Sequence, residues 1–472
     1  MPARPAYPSP DTPGPAAPRS PTRVLRRAAF VPAAAVLGYG AFAVAFPART
    51  PAAIGEVVAN WTGANPHPVV LQRPPVPPLS AVAQLGRALF FDPSLSASGK
   101  QSGASCHSPD RAYGPPNALD VQPGGLTMTQ QGYRPPPSLM YLYRQPNFSS
   151  GPDAGENDAA PSVAQQAASA AGVVKAQKVA GTAAAPQLVP QGGMFWDGRA
   201  DTLQQQAFGP LLNPVEMANA SIDDGARKLA QSPHRARFEQ LFGPRVFANS
   251  QLVVSEAMFA IARYQVEDRS FHPYDSKYDR WLEGRARLTQ TELRGLRLFN
   301  DPAKANCAGC HLSQPGKDGL PPMFTDYQYE ALGVPRNRAL AANRNPAFHD
   351  LGVCGPFRDD LKDQTQYCGM FLTPTLRNAA TRQVFFHNGV FHTLDQVMAF
   401  YNERSIAPQK FYPRGADGKV DGYDDIPPQY RANVDVTDAP FDRKPGARPA
   451  MTEQDIKDIE AFLGTLTDAP QK

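Results

Sequence analysis

The sequence predicts a mainly α-helical protein built from two domains of one type, with long irregular loops between its helices. Three observations carry this prediction. Several segments repeat apolar residues at helical spacing, while few alternate with the period of a strand. A helix followed by a Cys-His pair occurs twice, at Cys106-His107 and at Cys310-His311. Proline is abundant, with 51 residues in a chain of 472, which forces irregular connections. Apolar residues make up 42% of the chain, enough for a substantial core. The net charge of +4 is too weak to make nucleic acid an expected partner.

Residues 1–50 read as a targeting segment. A Pro/Ala-rich start leads to Arg23, Arg26 and Arg27, then to an uncharged apolar run from Ala28 to Phe46 containing the small-x-small pattern Ala43-Val44-Ala45. The run is an export signal or an N-terminal membrane anchor, and either places the rest of the chain outside the cytoplasm. Residues 51–266 form the first expected domain. Within it, 51–80 are Pro-rich and extended, and Ser80–Phe90 is a helix with Val82, Leu85, Leu89 and Phe90 on one face. Residues 150–187 are Ala/Gly/Ser-rich and of low complexity, as in a surface insertion. Helical periodicity runs through 201–208, stops at Gly209-Pro210, and returns from 222 to about 264.

The second expected domain is 267–472, opening with a connection over 267–284. Thr289–Phe299 is a helix with Leu293, Leu296 and Phe299 facing inward. Residues 312–370 are mostly loop. Thr393–Tyr401 is a helix with a Thr393-x-x-Gln396 capping box, and Glu453–Leu466 is a closing amphipathic helix.

Cys307-Ala308-Gly309-Cys310-His311 is a C-x-x-C-H signal for covalent c-type haem. Cysteines at i and i+3 with histidine at i+4 share one face of a helical turn, so two thioethers and an iron-binding imidazole meet one porphyrin. Half a zinc site is the rival, but no second C-x-x-C completes it. A thioredoxin-like pair lacks its βαβ context. The first signal reads Gly103-Ala104-Ser105-Cys106-His107, with glycine in place of the first cysteine. By itself Cys106-His107 is weak. Cys354 and Cys368 are left over, and in an exported chain they are expected to form a disulfide; two unpaired thiols are the alternative.

The segments around the signals carry a resemblance. Gly86-Arg87-Ala88-Leu89-Phe90-Phe91-Asp92-Pro93, then Leu95-Ser96 and Ala104-Ser105-Cys106-His107, resemble the first haem segment of the bacterial di-haem cytochrome c peroxidase/MauG family. Phe195-Trp196-Asp197-Gly198-Arg199, Gln206, Pro210 and Glu216-Met217 extend it. The second half joins through Cys307 to His311, Thr373-Pro374-Thr375-Leu376-Arg377-Asn378, Phe385-Phe386-His387-Asn388-Gly389 and Phe400-Tyr401-Asn402. The resemblance spans roughly residues 78–466, and the motifs together are far more specific than any one.

The resemblance implies two cytochrome-c-like haem domains packed together and two c-type haems. The N-terminal haem, peroxidatic, takes His107 as proximal ligand and is tethered by a single thioether through Cys106. The C-terminal haem, for electron transfer, is held by Cys307, Cys310 and His311. Gln206, Pro210 and Glu216 match the distal pocket, where Glu216 would move a proton between the peroxide oxygens. Trp196 matches a tryptophan between the haems. Arg199 and His387 match haem-adjacent positions, His387 beside a propionate. The helix after His387 supplies the sixth ligand of the second haem: Leu394, Val397, Met398 and Tyr401 share its apolar face. Tyr401, fourteen positions after His387, matches the MauG-like type, and Met398 one turn earlier is its rival. Tyrosinate favours oxidised iron, whereas methionine raises the potential. No histidine occurs between His107 and His234, so the reactive iron lacks the distal histidine of typical peroxidases. The family's calcium is put in question, because Tyr141 follows Met140 where an asparagine is expected and Arg382 stands where threonine is expected.

The implied function is reduction of hydrogen peroxide with electrons from a small cytochrome c or cupredoxin. The setting is the periplasm, with the chain soluble after signal cleavage or tethered by residues 28–46, and a homodimer is an admissible assembly. Two alternatives stand beside it: a MauG-like oxidase acting on side chains of a protein substrate, and an electron carrier with one haem. If Gly103 removes one thioether and not the site, the pyridine-haemochrome band should shift toward that of a haem with one residual vinyl group. Cys106→Ala should then release the haem on denaturation; release of nothing would sink the single-tether expectation.

Overall fold

The structure, a computed structural model, describes residues 52–152 and 188–469. The apolar run 28–46 and nearly all of the expected insertion 150–187 lie outside the described residues. The chain divides into two compact units after Pro66. The first carries one described helix, α1 (Ala52–Thr62). The expectation of an extended segment over 51–80 is therefore corrected at its start: residues 52–65 contain no proline, and the helix-breaking prolines begin at Pro66.

The second unit, from His67 onward, is mainly helical. Its helices are α2 (Ala81–Phe91), α3 (Gly103–Cys106), α4 (Leu203–Leu212), α5 (Ile222–Gln231), α6 (Arg235–Phe242), α7 (Ser250–Glu267), α8 (Lys277–Leu282), α9 (Gln290–Phe299), α10 (Cys307–Cys310), α11 (Leu394–Glu403) and α12 (Glu453–Gly464). The described strands form three two-stranded antiparallel sheets: β1 (Pro123–Gly124) with β2 (Gln130–Gln131), β3 (Ser149–Pro152) with β4 (Leu188–Gln191), and β5 (Tyr329–Glu330) with β6 (Phe371–Leu372). Pro152 pairs with Leu188, so the two ends of the low-complexity stretch meet in one hairpin.

Two helix pairs repeat one design. Helix α2 is capped by Ser80, whose hydroxyl accepts from the Ala83 amide at 3.1 Å, and buries Leu85, Leu89 and Phe90, with Val82 half-buried. It lies against α7 at Gly86, where a Cβ would stand 1.8 Å from the Ala260 carbonyl oxygen. Helix α9, capped by a Thr289–Glu292 box, buries Leu293 and Phe299, with Leu296 packed beside them. It lies against α12 at Gly295, where a Cβ would stand 1.9 Å from the Asp458 carbonyl oxygen. In both pairs only glycine admits the backbone approach. Each glycine is followed four residues later by a buried phenylalanine, Phe90 or Phe299, and then by a Cys-His turn.

Several local expectations are corrected. The stop expected at Gly209-Pro210 does not occur: α4 continues through Pro210 to Leu212. The periodicity over 222–264 is three helices, because Pro233 and Pro244 interrupt it. Residues 267–284 supply core and not merely a connection: Tyr278 is buried and packs edge-on to Phe462, with Trp281 stacked on it. At α11, Thr393 caps the Gln396 amide at 3.2 Å as expected, but the Gln396 side chain reaches past it to accept from the His392 amide at 2.6 Å. Cys354 and Cys368 form the expected disulfide. Among the described residues no helix is long and apolar enough to cross a membrane.

Gly86→Ala and Gly295→Ala should each destabilise the protein by about 1–3 kcal/mol through overpacking. Thermal melts monitored by circular dichroism will check this; an unchanged melting temperature in both would refute the close-packing account.

Candidate haem sites

The two Cys-His signals fold into the same local structure, although one lacks a cysteine. Each is a single helical turn, α3 or α10, closed by its histidine. The His107 amide donates to the Gly103 carbonyl at 2.9 Å, and the His311 amide to the Cys307 carbonyl at 2.8 Å. The imidazoles are fixed alike: Nδ1 of His107 lies 3.1 Å from the Tyr113 carbonyl and Nδ1 of His311 lies 2.9 Å from the Phe324 carbonyl. A carbonyl only accepts, so Nδ1 carries the proton and Nε2 keeps its lone pair for a metal. Burial pushes both imidazoles down to about 4, which leaves them neutral at physiological pH.

Gly103 has a steric reason. A Cβ at this position would stand 2.7 Å from Cδ2 and 2.8 Å from Cε2 of Phe90. That ring is wedged among Tyr113, Tyr264 and Phe271, so it has little room to yield. Cys106, Cys307 and Cys310 are free thiols. Burial raises the first to about 11 and the second to about 12 and also raises Cys310, so all three stay protonated.

A cavity of about 420 Å³ opens beside α10, bounded by Cys307, Cys310, His311, His387, Met398 and Tyr401. Phe371 stacks on His387 with ring centroids 3.5 Å apart, and the buried Nε2 of His387 has no hydrogen-bond partner among the described residues. Met398 is at the same time a member of the apolar core with Ile459, Phe462 and Leu463. Tyr401 is held between Phe386 and Phe441, and burial beside the two thiols raises its hydroxyl well above the ordinary phenol range.

A second cavity, of about 100 Å³, is bounded by Cys106, His107, Arg199, Gln206, Pro210 and Glu216, and so brings together the residues expected around the first haem. His107 is its sole histidine among the described residues. Glu216 is enclosed, and burial raises its carboxyl above the usual range, while the Arg199 cation and the Asn213 amide, 2.6 Å from Oε1, oppose that rise. Arg199 sits over the Phe195 ring at 3.6 Å and pairs with Asp197 at 2.8 Å. His234 and His392 are engaged elsewhere: His234 pairs with Asp92 at 3.2 Å and His392 with Asp120 at 3.0 Å.

Trp196 borders both cavities. Its indole Nε1 donates to the Pro135 carbonyl at 3.0 Å, and its own carbonyl accepts from the Leu372 amide at 3.0 Å. Sequence reasoning missed what holds it there. Asp197 is fully buried and bound by Arg134 at 2.8 Å; Arg134 also grips Asp350 through two bonds of 2.7 Å. Asp197 belonged to a quoted motif, but nothing in the sequence marks Arg134 and Asp350 as its partners. These donors and apolar walls fit haem: free thiols beside neutral imidazoles, each presenting one unprotonated ring nitrogen.

The sequence profile of the family "Di-haem cytochrome c peroxidase" matches residues 80–287. The chain is 32% identical over 400 residues to the methylamine utilization protein MauG of Paracoccus denitrificans, an alignment covering 82% of this chain and 89% of that protein. It is 29% identical over 340 residues to the cytochrome c551 peroxidase of Nitrosomonas europaea, covering 70% and 77%. The crystal structure of the diheme peroxidase BthA from Burkholderia thailandensis superposes with a TM-score of 0.70 at 37% identity, covering 87% of this chain and 92% of BthA. The chain therefore belongs to the di-haem cytochrome c peroxidase/MauG family. It is an oxidoreductase of a class that carries two c-type haems.

Gly103→Cys should not create a second thioether, because Phe90 fills the space for the new side chain. The pyridine-haemochrome spectrum should match that of the parent protein and the melting temperature should fall; a spectrum that moves to that of two doubly tethered haems would disprove the steric account.

Proposed function

We propose that this protein is a periplasmic di-haem peroxidase that reduces hydrogen peroxide to water with electrons from a small cytochrome c or cupredoxin. The observation that carries the reading is Trp196, one aromatic side chain bordering both the His107 and the His311 cavities. It gives a reaction site and an electron-entry site a shared wall. One haem would be held by Cys106 and His107 through a single thioether, and the other by Cys307, Cys310 and His311 with Tyr401 as sixth ligand. Tyr401 is favoured over Met398 because it borders the cavity beside Cys307 and Cys310 without belonging to the apolar core, whereas Met398 is packed as core.

When bound at His107, haem supplies the redox iron at which the O–O bond is reduced. The surrounding residues handle protons. Asn213 occupies one oxygen of Glu216, leaving the other to take a proton from one peroxide oxygen and deliver it to the second. The raised pKa brings the carboxyl nearer to neutral, where it can both accept and give a proton. Gln206 lines the same space and can hydrogen-bond peroxide. Two protons and two electrons then convert peroxide to two waters.

A second reading, oxidation of side chains on a partner protein, is supported by the absence of a second histidine in the His107 cavity among the described residues and by the likeness to MauG. Steady-state turnover with reduced cytochrome c, compared with peroxide-dependent oxidation of a co-purifying protein, separates the two.

With both haems loaded, kcat/KM for peroxide should fall about 100- to 10,000-fold in Glu216→Gln, the range for loss of a general acid–base. Full activity in that variant would remove Glu216 from the mechanism. Arg199→Gln deletes a cation that lowers the Glu216 pKa, so the acid limb of the kcat/KM profile should move to higher pH.

A further inference from the structure

A third cavity, of about 140 Å³, shares Pro137, Phe195 and Trp196 with the His107 cavity and Thr373, Pro374 and Phe385 with the His311 cavity. Among the described residues its lining contains no aspartate or glutamate but three arginines, Arg111, Arg377 and Arg382. Arg377 is neutralised by Asp279 through bonds of 2.9 and 2.7 Å. Arg382 is not. Its guanidinium donates only to backbone carbonyls, Nε to Val384 at 3.2 Å and Nη2 to Pro136 at 3.4 Å. Nη1 is left over, and the half-buried side chain lines the cavity. Burial without any carboxylate lowers its pKa to about 10, which still leaves it charged at neutral pH. Its field reaches His107, whose protonation it opposes.

The His311 cavity has the opposite lining. Asp326, Glu330, Asp350, Asp425, Asp435 and Asp438 border it, and no lysine or arginine does among the described residues. A buried cation with no counter-ion is costly, so the arginine-lined cavity calls for an anion. Haem carries two carboxylates on one porphyrin edge, away from the vinyl groups that cysteines attack. Those carboxylates are repelled by the acid-lined cavity and drawn to the arginine-lined one. The loop that follows His107 contributes Arg111 and closes on Arg382, with a Cβ at Gly114 standing 3.4 Å from Nη1.

We propose that Arg382, which lines this cavity together with Arg111, binds a carboxylate of the haem held at His107, and that its fixed charge keeps a divalent cation out of the cavity. The proposal rests on Cys106 and His107 carrying haem. A guanidinium suits the task, because its planar fork can bond both carboxylate oxygens. An acid-free, arginine-lined cavity repels calcium.

The test uses the holoprotein and its Arg382→Gln and Arg382→Lys variants. Covalent haems are counted by denaturing mass spectrometry, the propionate-bending bands are recorded by resonance Raman, and the midpoint potential of the His107 haem is measured by spectroelectrochemistry. Arg382→Gln should shift a propionate band and lower the potential, since loss of a nearby cation favours oxidised iron. Arg382→Lys should shift the band while keeping the potential close to that of the parent. Treatment of the parent with a calcium chelator should change neither. With two haems present, an unmoved band in both variants overturns the proposal, as does a chelator effect reversed by calcium. If Arg382→Gln does not accumulate, the band of Arg382→Lys decides alone. A single haem in the parent would instead overturn the reading that His107 carries one, and the proposal with it.

Discussion

The buried ion-pair chain Arg199–Asp197–Arg134–Asp350 is the constraint on which the site depends. It joins residues far apart in sequence; Asp197 and Asp350 are buried, and the side chain of Arg134 between them is 9% exposed. A buried pair of this kind gains little over an apolar replacement, but deleting one partner strands a charge at a cost of about 3–5 kcal/mol. Its contribution is therefore positional. It ties the turn bearing Trp196 to the segment before Pro135 and to the loop containing Asp350, and so fixes the indole where the His107 and His311 cavities meet it.

Around that junction the fold uses one device twice. A capped helix carrying a glycine lies directly on a second helix, buries a phenylalanine, and feeds a one-turn helix closed by histidine. The equivalence of the two histidines, each anchored through Nδ1 to a backbone carbonyl, persists despite Gly103. The difference at Gly103 is thus local: the Phe90 ring takes the space a side chain there would need, and the imidazole geometry is the same in both turns.

Charge is partitioned in the same region. Acids line the cavity at His311, and arginines line the smaller cavity between the sites. Such separation is unfavourable by itself, since like charges brought together repel. A carboxylate placed against the arginines would offset that cost.

The sequence by itself determined what short-range chemistry decides. Helices α2, α9 and α12 follow from the spacing of apolar residues along a few turns. The Cys307–His311 turn was legible from residue type and spacing, the Cys106-His107 turn only through the resemblance of the segments around it, and the disulfide as the expected pairing of the two cysteines left over. The tertiary structure alone decided the rest. Pro210 continues a helix where local rules end one, Gln396 caps His392 and not Thr393, and residues 267–284 become core. The partners of Asp197, the ring that excludes a side chain at Gly103, and the lack of any carboxylate near Arg382 all depend on segments brought together from distant parts of the chain. No local pattern encodes which distant residue arrives, because such contacts are selected by the packing of the whole unit.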